Sequence, residues 1–301
     1  MKKYSGGVHL ASVERSGFEE SRHHGSIVVL SGDGGVIASA GDVDGPIFPR
    51  SSNKPFQAIG MLRAGLDVHA EDLSLVAASH SGEDFHLERV RALLDKAGLS
   101  EDDLRCPADW RLSQQCGEKK RVYMNCSGKH TGMLLTCVAN GWTTEDYYEP
   151  GHPVQKALIA AIEDYSDEPV AAIGVDGCGA PVAAISLTGL ATGFLRASNH
   201  EVGEAMRTYP EMCSGTGRAD ATLMRGVPNL FSKGGAEGVW AAAIPGVGAV
   251  AMKIDDGNAR AHGPVMVSAL ERLGIEVAAP ELVTPPVFGR GERVGTIKSL
   301  F

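Results

Sequence analysis

The chain has no apolar run approaching the roughly 20 residues that a membrane-spanning helix needs, so no membrane is expected among its partners. It has no internal repeat, no low-complexity stretch and no obvious linker. Its first residues, Met1-Lys2-Lys3-Tyr4-Ser5-Gly6-Gly7, lack the apolar centre of a secretory signal, and the cytoplasm is the expected compartment. Positive charge is in deficit. A formal charge of −9 repels phosphate backbones, which sets nucleic acid aside as a partner. Cysteine is sparse: Cys106, Cys116, Cys126, Cys137, Cys178 and Cys213 are the six. In a long cytoplasmic chain these are expected as buried thiols, metal ligands or catalytic groups rather than disulfides.

What is present suits an ordinary globular protein: 43% hydrophobic and 22% charged residues, enough to bury a sizeable core without staples. A length of 301 residues lies at the upper edge of what one core supports. One domain over residues 1–301 is expected, in two intimate lobes.

The first forty residues read as strands. Residues 26–30 and 36–40 flank Asp33-Gly34-Gly35, where glycine supplies the positive φ of a tight hairpin. Helical spacing of apolar residues marks 56–62, 71–78, 84–97 (stopped by Gly98), 128–139, 152–165, 201–208, 219–225 and 258–273. Residues 105–123 are polar and irregular. Strand character returns at 170–175, 239–244, 249–254 and 285–288, while periodicity leaves 182–190 undecided between strand and helix. Strands thus cluster at both ends and helices fill the middle. That segregation predicts α+β: an antiparallel sheet made from both termini, with helices packed on it and a helical lobe inserted.

Several segments could carry chemistry. If Ser51-Ser52-Asn53-Lys54 opens a helix, Ser51 and Lys54 share a face. A serine hydroxyl needs a base, and a lysine can be that base if burial or a nearby cation lowers its pKa from about 10.4. S-x-x-K is the first motif of serine β-lactamases and penicillin-binding proteins; on its own it also fits a capping serine beside a solvated lysine. In Ser79-His80-Ser81-Gly82 a hydroxyl could relay a proton to a leaving group, although such a run is also an ordinary polar turn. Lys253 falls on a late strand, where the β-lactamase plan carries an edge-strand lysine facing the nucleophile. Cys126 opens one helix and Cys178 follows one strand. Two such thiolates suit Zn²⁺, with Lys129 or His130 needed to complete the site; lysine is a rare ligand because its amine must first lose a proton. Two inert buried cysteines are the plainer alternative. The run from Ser232 to Gly238, rich in glycine, could bring backbone N–H groups to a carboxylate or oxyanion. It lacks the Walker spacing of a P-loop.

Taken in order, Arg50-Ser51-Ser52-Asn53-Lys54-Pro55-Phe56-Gln57-Ala58, Ala78-Ser79-His80-Ser81-Gly82-Glu83, Cys126-Ser127-Gly128-Lys129-His130, Gly174-Val175-Asp176-Gly177-Cys178-Gly179-Ala180-Pro181 and Lys233-Gly234-Gly235-Ala236-Glu237-Gly238 resemble the signature blocks of the asparaginase II family. This family includes the rhizobial-type inducible L-asparaginases. The resemblance covers about residues 13–256. It implies a fold similar to serine β-lactamases and glutaminases, a homodimer, and hydrolysis of L-asparagine to L-aspartate and ammonia. Carried over by motif, it makes Ser51 the nucleophile and Lys54 its base, with Ser79 and Lys253 as a second Ser–Lys pair. It also implies that Cys126, Lys129 and Cys178 hold a zinc ion, which positions substrate, and that Arg50, His130 and Asp176 contact substrate or water. Ser79 is preferred to Ser81 because it precedes His80. Two other readings keep part of this picture. One is a glutaminase or penicillin-recognising hydrolase on the same fold; the other is a non-catalytic, zinc-stabilised amino-acid-binding protein.

Overall fold

Alternating and continuous apolar runs are drawn into one eight-stranded antiparallel sheet in the computed structural model, which describes residues 3–301. The strands are β1 (Val8–Arg15), β2 (Phe18–Ser31), β3 (Val36–Ala40), β4 (Ala172–Val175), β5 (Pro181–Ala184), β6 (Phe231–Gly234), β7 (Val239–Ile244), β8 (Gly248–Ile254), β9 (Pro286–Gly289) and β10 (Glu292–Ser299). The order in the main sheet is β6-β7-β8-β2-β1-β10-β9, with β3 paired to β2 and a separate β4-β5 hairpin. The expected sheet from both termini is therefore present: β1 and β2 lie between the late strands β8 and β10.

The helices are α1 (Lys54–Arg63), α2 (Ala70–Val76), α3 (Asp84–Lys96), α4 (Ser127–Asn140), α5 (Pro153–Ser166), α6 (Leu187–Ala197), α7 (Glu201–Thr208), α8 (Pro210–Cys213), α9 (Ala219–Gly226), α10 (His262–Glu271) and α11 (Pro280–Val283). Among the described residues no helix is long and apolar enough to cross a membrane. The undecided segment at 182–190 divides, its first part in β5 and its end opening α6, where the Ser186 side chain accepts from the Gly189 N–H as an N-cap. The glycine-rich run begins inside a strand. Its first residues form β6, paired to β7 with Lys233 opposite Ala241. Four residues with serine, lysine and glycine carry little strand propensity, so pairing decides the conformation.

Helix α1 carries the Ser51 segment, and an aromatic stack fixes it. The Phe56 ring is fully buried, edge-on to Phe194 at 5.7 Å and stacked on Tyr165 at 5.9 Å. Phe194 in turn lies flat on Phe231 of β6, with ring centroids 4.9 Å apart. Gly193 makes the room, since a Cβ there would meet the Phe56 ring at 2.5 Å. One stack thus ties α1 to α6 and to the sheet. Truncation of Phe56 to alanine is expected to cost about 3–5 kcal/mol, read as a lower urea midpoint; a loss under about 1 kcal/mol would show that the stack does not anchor α1.

Candidate active site

A short 3-10 turn, Arg50–Asn53, leads directly into α1. Three neighbours hold it. The Ser52 hydroxyl donates to the Lys233 carbonyl at 2.9 Å, which fastens the turn to β6. Asn53 Nδ2 donates to the Ala183 carbonyl at 3.1 Å, which fastens it to β5. Arg50, in the left-handed region at φ 55°, donates from Nε to Asp176 Oδ1 at 2.7 Å. A left-handed arginine costs of order 1 kcal/mol, which this ion pair, mostly shielded from water, helps to offset.

Lys54 is 1% exposed, and a buried amine needs an acceptor for each N–H. Its Nζ donates to the Ala78 carbonyl, to Ser79 Oγ at 3.0 Å and to Cys126 Sγ at 3.1 Å. No hydrogen bond joins Lys54 to Ser51 in this arrangement. Ser81 is committed elsewhere, donating to Glu83 Oε2 at 2.8 Å, so Ser79 is the serine beside Lys54. Behind it, His80 Nδ1 accepts from the Gly82 N–H at 3.1 Å, which places the ring proton on Nε2, 2.8 Å from Ser127 Oγ. Burial is the main cause that keeps His80 neutral, with its pKa well below the ordinary value.

The thiol segments meet as well. Cys126 caps α4 and Lys129 lies one turn on, with its Nζ 3.2 Å from Cys178 Sγ in the turn between β4 and β5. The hydrogen bond from Cys126, then the Lys129 charge, hold the Cys178 thiol well below its usual pKa, and the same hydrogen bond, with burial, pushes Cys126 up. The single S–H of Cys126 serves either Cys178 or Asn125 Oδ1, 3.0 Å away. Burial would lower the Lys129 pKa, but the Cys178 and Cys126 sulfurs outweigh it and raise it. His130 Nδ1 is 2.7 Å from the Tyr147 hydroxyl, while its buried Nε2 makes no well-formed hydrogen bond although Cys178 lies beside it. No three His, Cys, Asp or Glu side chains among the described residues group closely enough to hold a metal. Two sulfurs, one amine and an orphaned imidazole nitrogen nevertheless make a donor set that fits Zn²⁺ chemically, provided Lys129 contributes its amine.

Ser51 and Ser79 both open on a cleft of about 520 Å³ that Asn125, the residues from Gly217 to Asp220, the residues from Lys233 to Ala236, and His262 also border. Arg50, His130 and Asp176 are not on its wall; they lie with the thiols behind the serines. Lys253 needs correction. It was expected on an edge strand facing the nucleophile and paired with Ser79, but β8 is interior, between β7 and β2, and its Nζ donates to the Glu237 carbonyl at 2.7 Å. The edge strand is β6, and its buried Lys233 borders the cleft. Burial is the main cause lowering the Lys233 pKa; its Nζ donates to the Gly234 carbonyl at 2.7 Å and faces Asp220 Oδ2 at 3.8 Å. A signal for it existed in the sequence. Lys-Thr-Gly is the third motif of serine β-lactamases, and Lys233-Gly234-Gly235 differs from it at one position.

The sequence model of the family described as L-asparaginase II matches residues 11–299. The chain belongs to the L-asparaginase II family. As a member of that family it is an amidohydrolase. No curated protein matches it in sequence. Among solved structures it is similar to a β-lactamase (Mb2281c) from Mycobacterium bovis, at 16% identity and a TM-score of 0.37 over 78% of this chain and 88% of that one. A putative β-lactamase from Bacteroides dorei gives 14% and 0.40 over 82% and 92%. Mglu in its native form gives 12% and 0.44 over 83% of this chain and 62% of that one.

Within this family member, Gly235 sets how closely β6 approaches the serine turn, because a Cβ there would fall 2.2 Å from the Pro49 carbonyl oxygen. Gly235→Ala is expected to displace Ser51 and lower amide turnover about a hundredfold, with an unchanged far-UV circular dichroism spectrum. Turnover within about twofold of the parent would show that the turn tolerates the shift.

Proposed function

We propose that the chain hydrolyses L-asparagine to L-aspartate and ammonia, with Ser51 as nucleophile. One observation supports this reading above the others: two serine hydroxyls share one cleft, and a buried lysine stands bonded to one of them and three positions from the other. In its uncharged form, in which it donates to only two of its three neighbours and keeps a lone pair, the amine of Lys54 takes the Ser51 proton as Oγ attacks the side-chain amide carbon. The Ser51 and Ala236 N–H groups stabilise the oxyanion, as donors fixed before charge develops do best. Ser79, already hydrogen-bonded to Lys54, passes a proton to the departing ammonia, the role first expected of the Ser79–Lys253 pair. Water then cleaves the aspartyl ester by the reverse proton path.

Zinc belongs to this proposal through Cys126, Lys129 and Cys178, where it would supply a fixed positive charge that positions substrate. Bond making and breaking stay with the serines, so no metal-activated water is invoked. Arg50 and Asp176 act through their ion pair, which holds the serine turn in place.

Ammonia release from L-asparagine and L-glutamine, and ring opening of a nitrocefin-type substrate followed by absorbance, each with and without chelator, test the reading. L-asparagine is expected to give the highest kcat/KM, and one methylene in glutamine to cost about 10- to 200-fold. Ser51→Ala is expected to lower kcat by at least about a thousandfold and Ser79→Ala by about a hundredfold; substantial turnover in Ser51→Ala would end the proposal. Removing metal is expected to raise KM more than it lowers kcat; a collapse of kcat at unchanged KM would assign the metal to the chemical step.

A further inference from the structure

Three formal charges border the cleft: Arg218, Asp220 and Lys233. Two of them cancel. Asp220 Oδ1 accepts from the Gly234 N–H at 2.8 Å, from Trp240 Nε1 at 2.7 Å and from Ser232 Oγ at 3.2 Å, and Oδ2 faces Lys233. Arg218 is left over. Arg50, Arg111 and Arg225 are each bound to a carboxylate, but the Arg218 guanidinium has no hydrogen bond or ion pair among the described residues. It is exposed at the cleft, in a chain of net charge −9. It also stands at the N-cap of α9, whose first residues line the same wall, so the helix end adds positive potential there.

A second, independent feature shares the cleft. His262 is 9% exposed and its Nε2 is buried without a partner. The Gly238 carbonyl accepts from the other ring nitrogen, and burial keeps the imidazole neutral by lowering its pKa. That tautomer leaves a lone pair on Nε2, so it can only accept. The two features are of opposite hydrogen-bonding sense, a free cation and a free acceptor.

We propose that this part of the cleft is a zwitterion subsite, with Arg218 binding the α-carboxylate and His262 Nε2 accepting from the α-ammonium of a free amino-acid amide. The proposal rests on the amidohydrolase reading of the same cleft and deepens it. It assigns Arg218 and His262 as the residues that select for both free α-groups, against a residue inside a peptide or a C-terminally amidated one.

Binding is measured by titration calorimetry on the full-length Ser51→Ala chain, which cannot turn over its ligand. The probes are L-asparagine, L-asparaginamide, which lacks the carboxylate, and succinamate, which lacks the ammonium. Adding Arg218→Ala is expected to weaken L-asparagine binding about ten- to a hundredfold while leaving L-asparaginamide within about twofold. Arg218→Lys is expected to restore part of the loss. Adding His262→Gln is expected to weaken L-asparagine binding and spare succinamate. Equal losses on all probes, no loss on any, or a parent that does not bind L-asparagine would overturn the subsite. Ammonia release by the chain with Ser51 intact separates the two claims: selective binding without release removes the asparaginase reading and keeps the subsite, and release with unselective binding does the reverse.

Discussion

A buried lysine nitrogen, and the need to give it polar partners out of water, organises this site. Lys54 sits 1% exposed on the first turn of α1. Its acceptors come from two separate segments: the Ala78 carbonyl and the Ser79 hydroxyl, which follow α2, and the sulfur of Cys126, just before α4. Leaving any of them out would strand a buried polar group at a cost of about 1–3 kcal/mol. The lysine therefore fixes where the Ala78-Ser79 backbone turns, which way the serine points and how close α4 comes. Gly128 shows how tight that approach is, since a Cβ there would meet the Leu75 carbonyl at 2.4 Å. Catalytic candidates and packing are here one constraint.

The thiol cluster continues the same logic one layer deeper. Two lysines and two cysteines lie together out of water, joined by the Lys54–Cys126 and Lys129–Cys178 contacts at 3.1 and 3.2 Å. A cation buried beside a thiol favours its thiolate, and a thiolate favours its neighbour's ammonium. The hydrogen bond from Cys126, then the Lys129 charge, drives Cys178 down, and the two sulfurs drive Lys129 up, despite burial that opposes both. A divalent metal in the same place would answer the same requirement with one charge. The cluster borders the serines from behind and leaves the cleft to the substrate.

Much of this was legible in the chain. The α+β layout followed from strands at the ends and helices between, because hydrophobic period is a local property. Ser51, Lys54, Ser79, Cys126, Lys129 and Cys178 were legible through their motifs, whose spacing places them on element ends. Three features were not. Strand β6 was hidden because its residues have little propensity of their own and are held by β7. The bond that commits Ser81 to Glu83 is supplied only by the folded chain. Arg218 and His262 belong to no motif. Their place in the cleft comes from α9 and α10 meeting β6 and β7 across the 44 positions from Arg218 to His262, a long-range fact that no window of the chain contains.

The exchange of Lys253 for Lys233 shows what decides such cases. Both lysines are followed by polar turns, both sit on strands of one sheet, and both have pKa values lowered chiefly by burial. Sequence separates them only by the near match of Lys233-Gly234-Gly235 to a Lys-Thr-Gly motif. Sheet order decides between them. An interior strand is paired along both sides, and β8 is enclosed by β7 and β2. An edge strand keeps one side open, and there its backbone can meet another element or a ligand. In β6 that open side is where the Lys233 carbonyl takes the Ser52 hydroxyl and where Gly235 lies against Pro49. The serine turn is docked on an edge because only an edge has free backbone to dock on, and Lys233 of that edge strand borders the cleft beside it. Four residues of weak strand thus determine the site more firmly than the well-formed strands beside them.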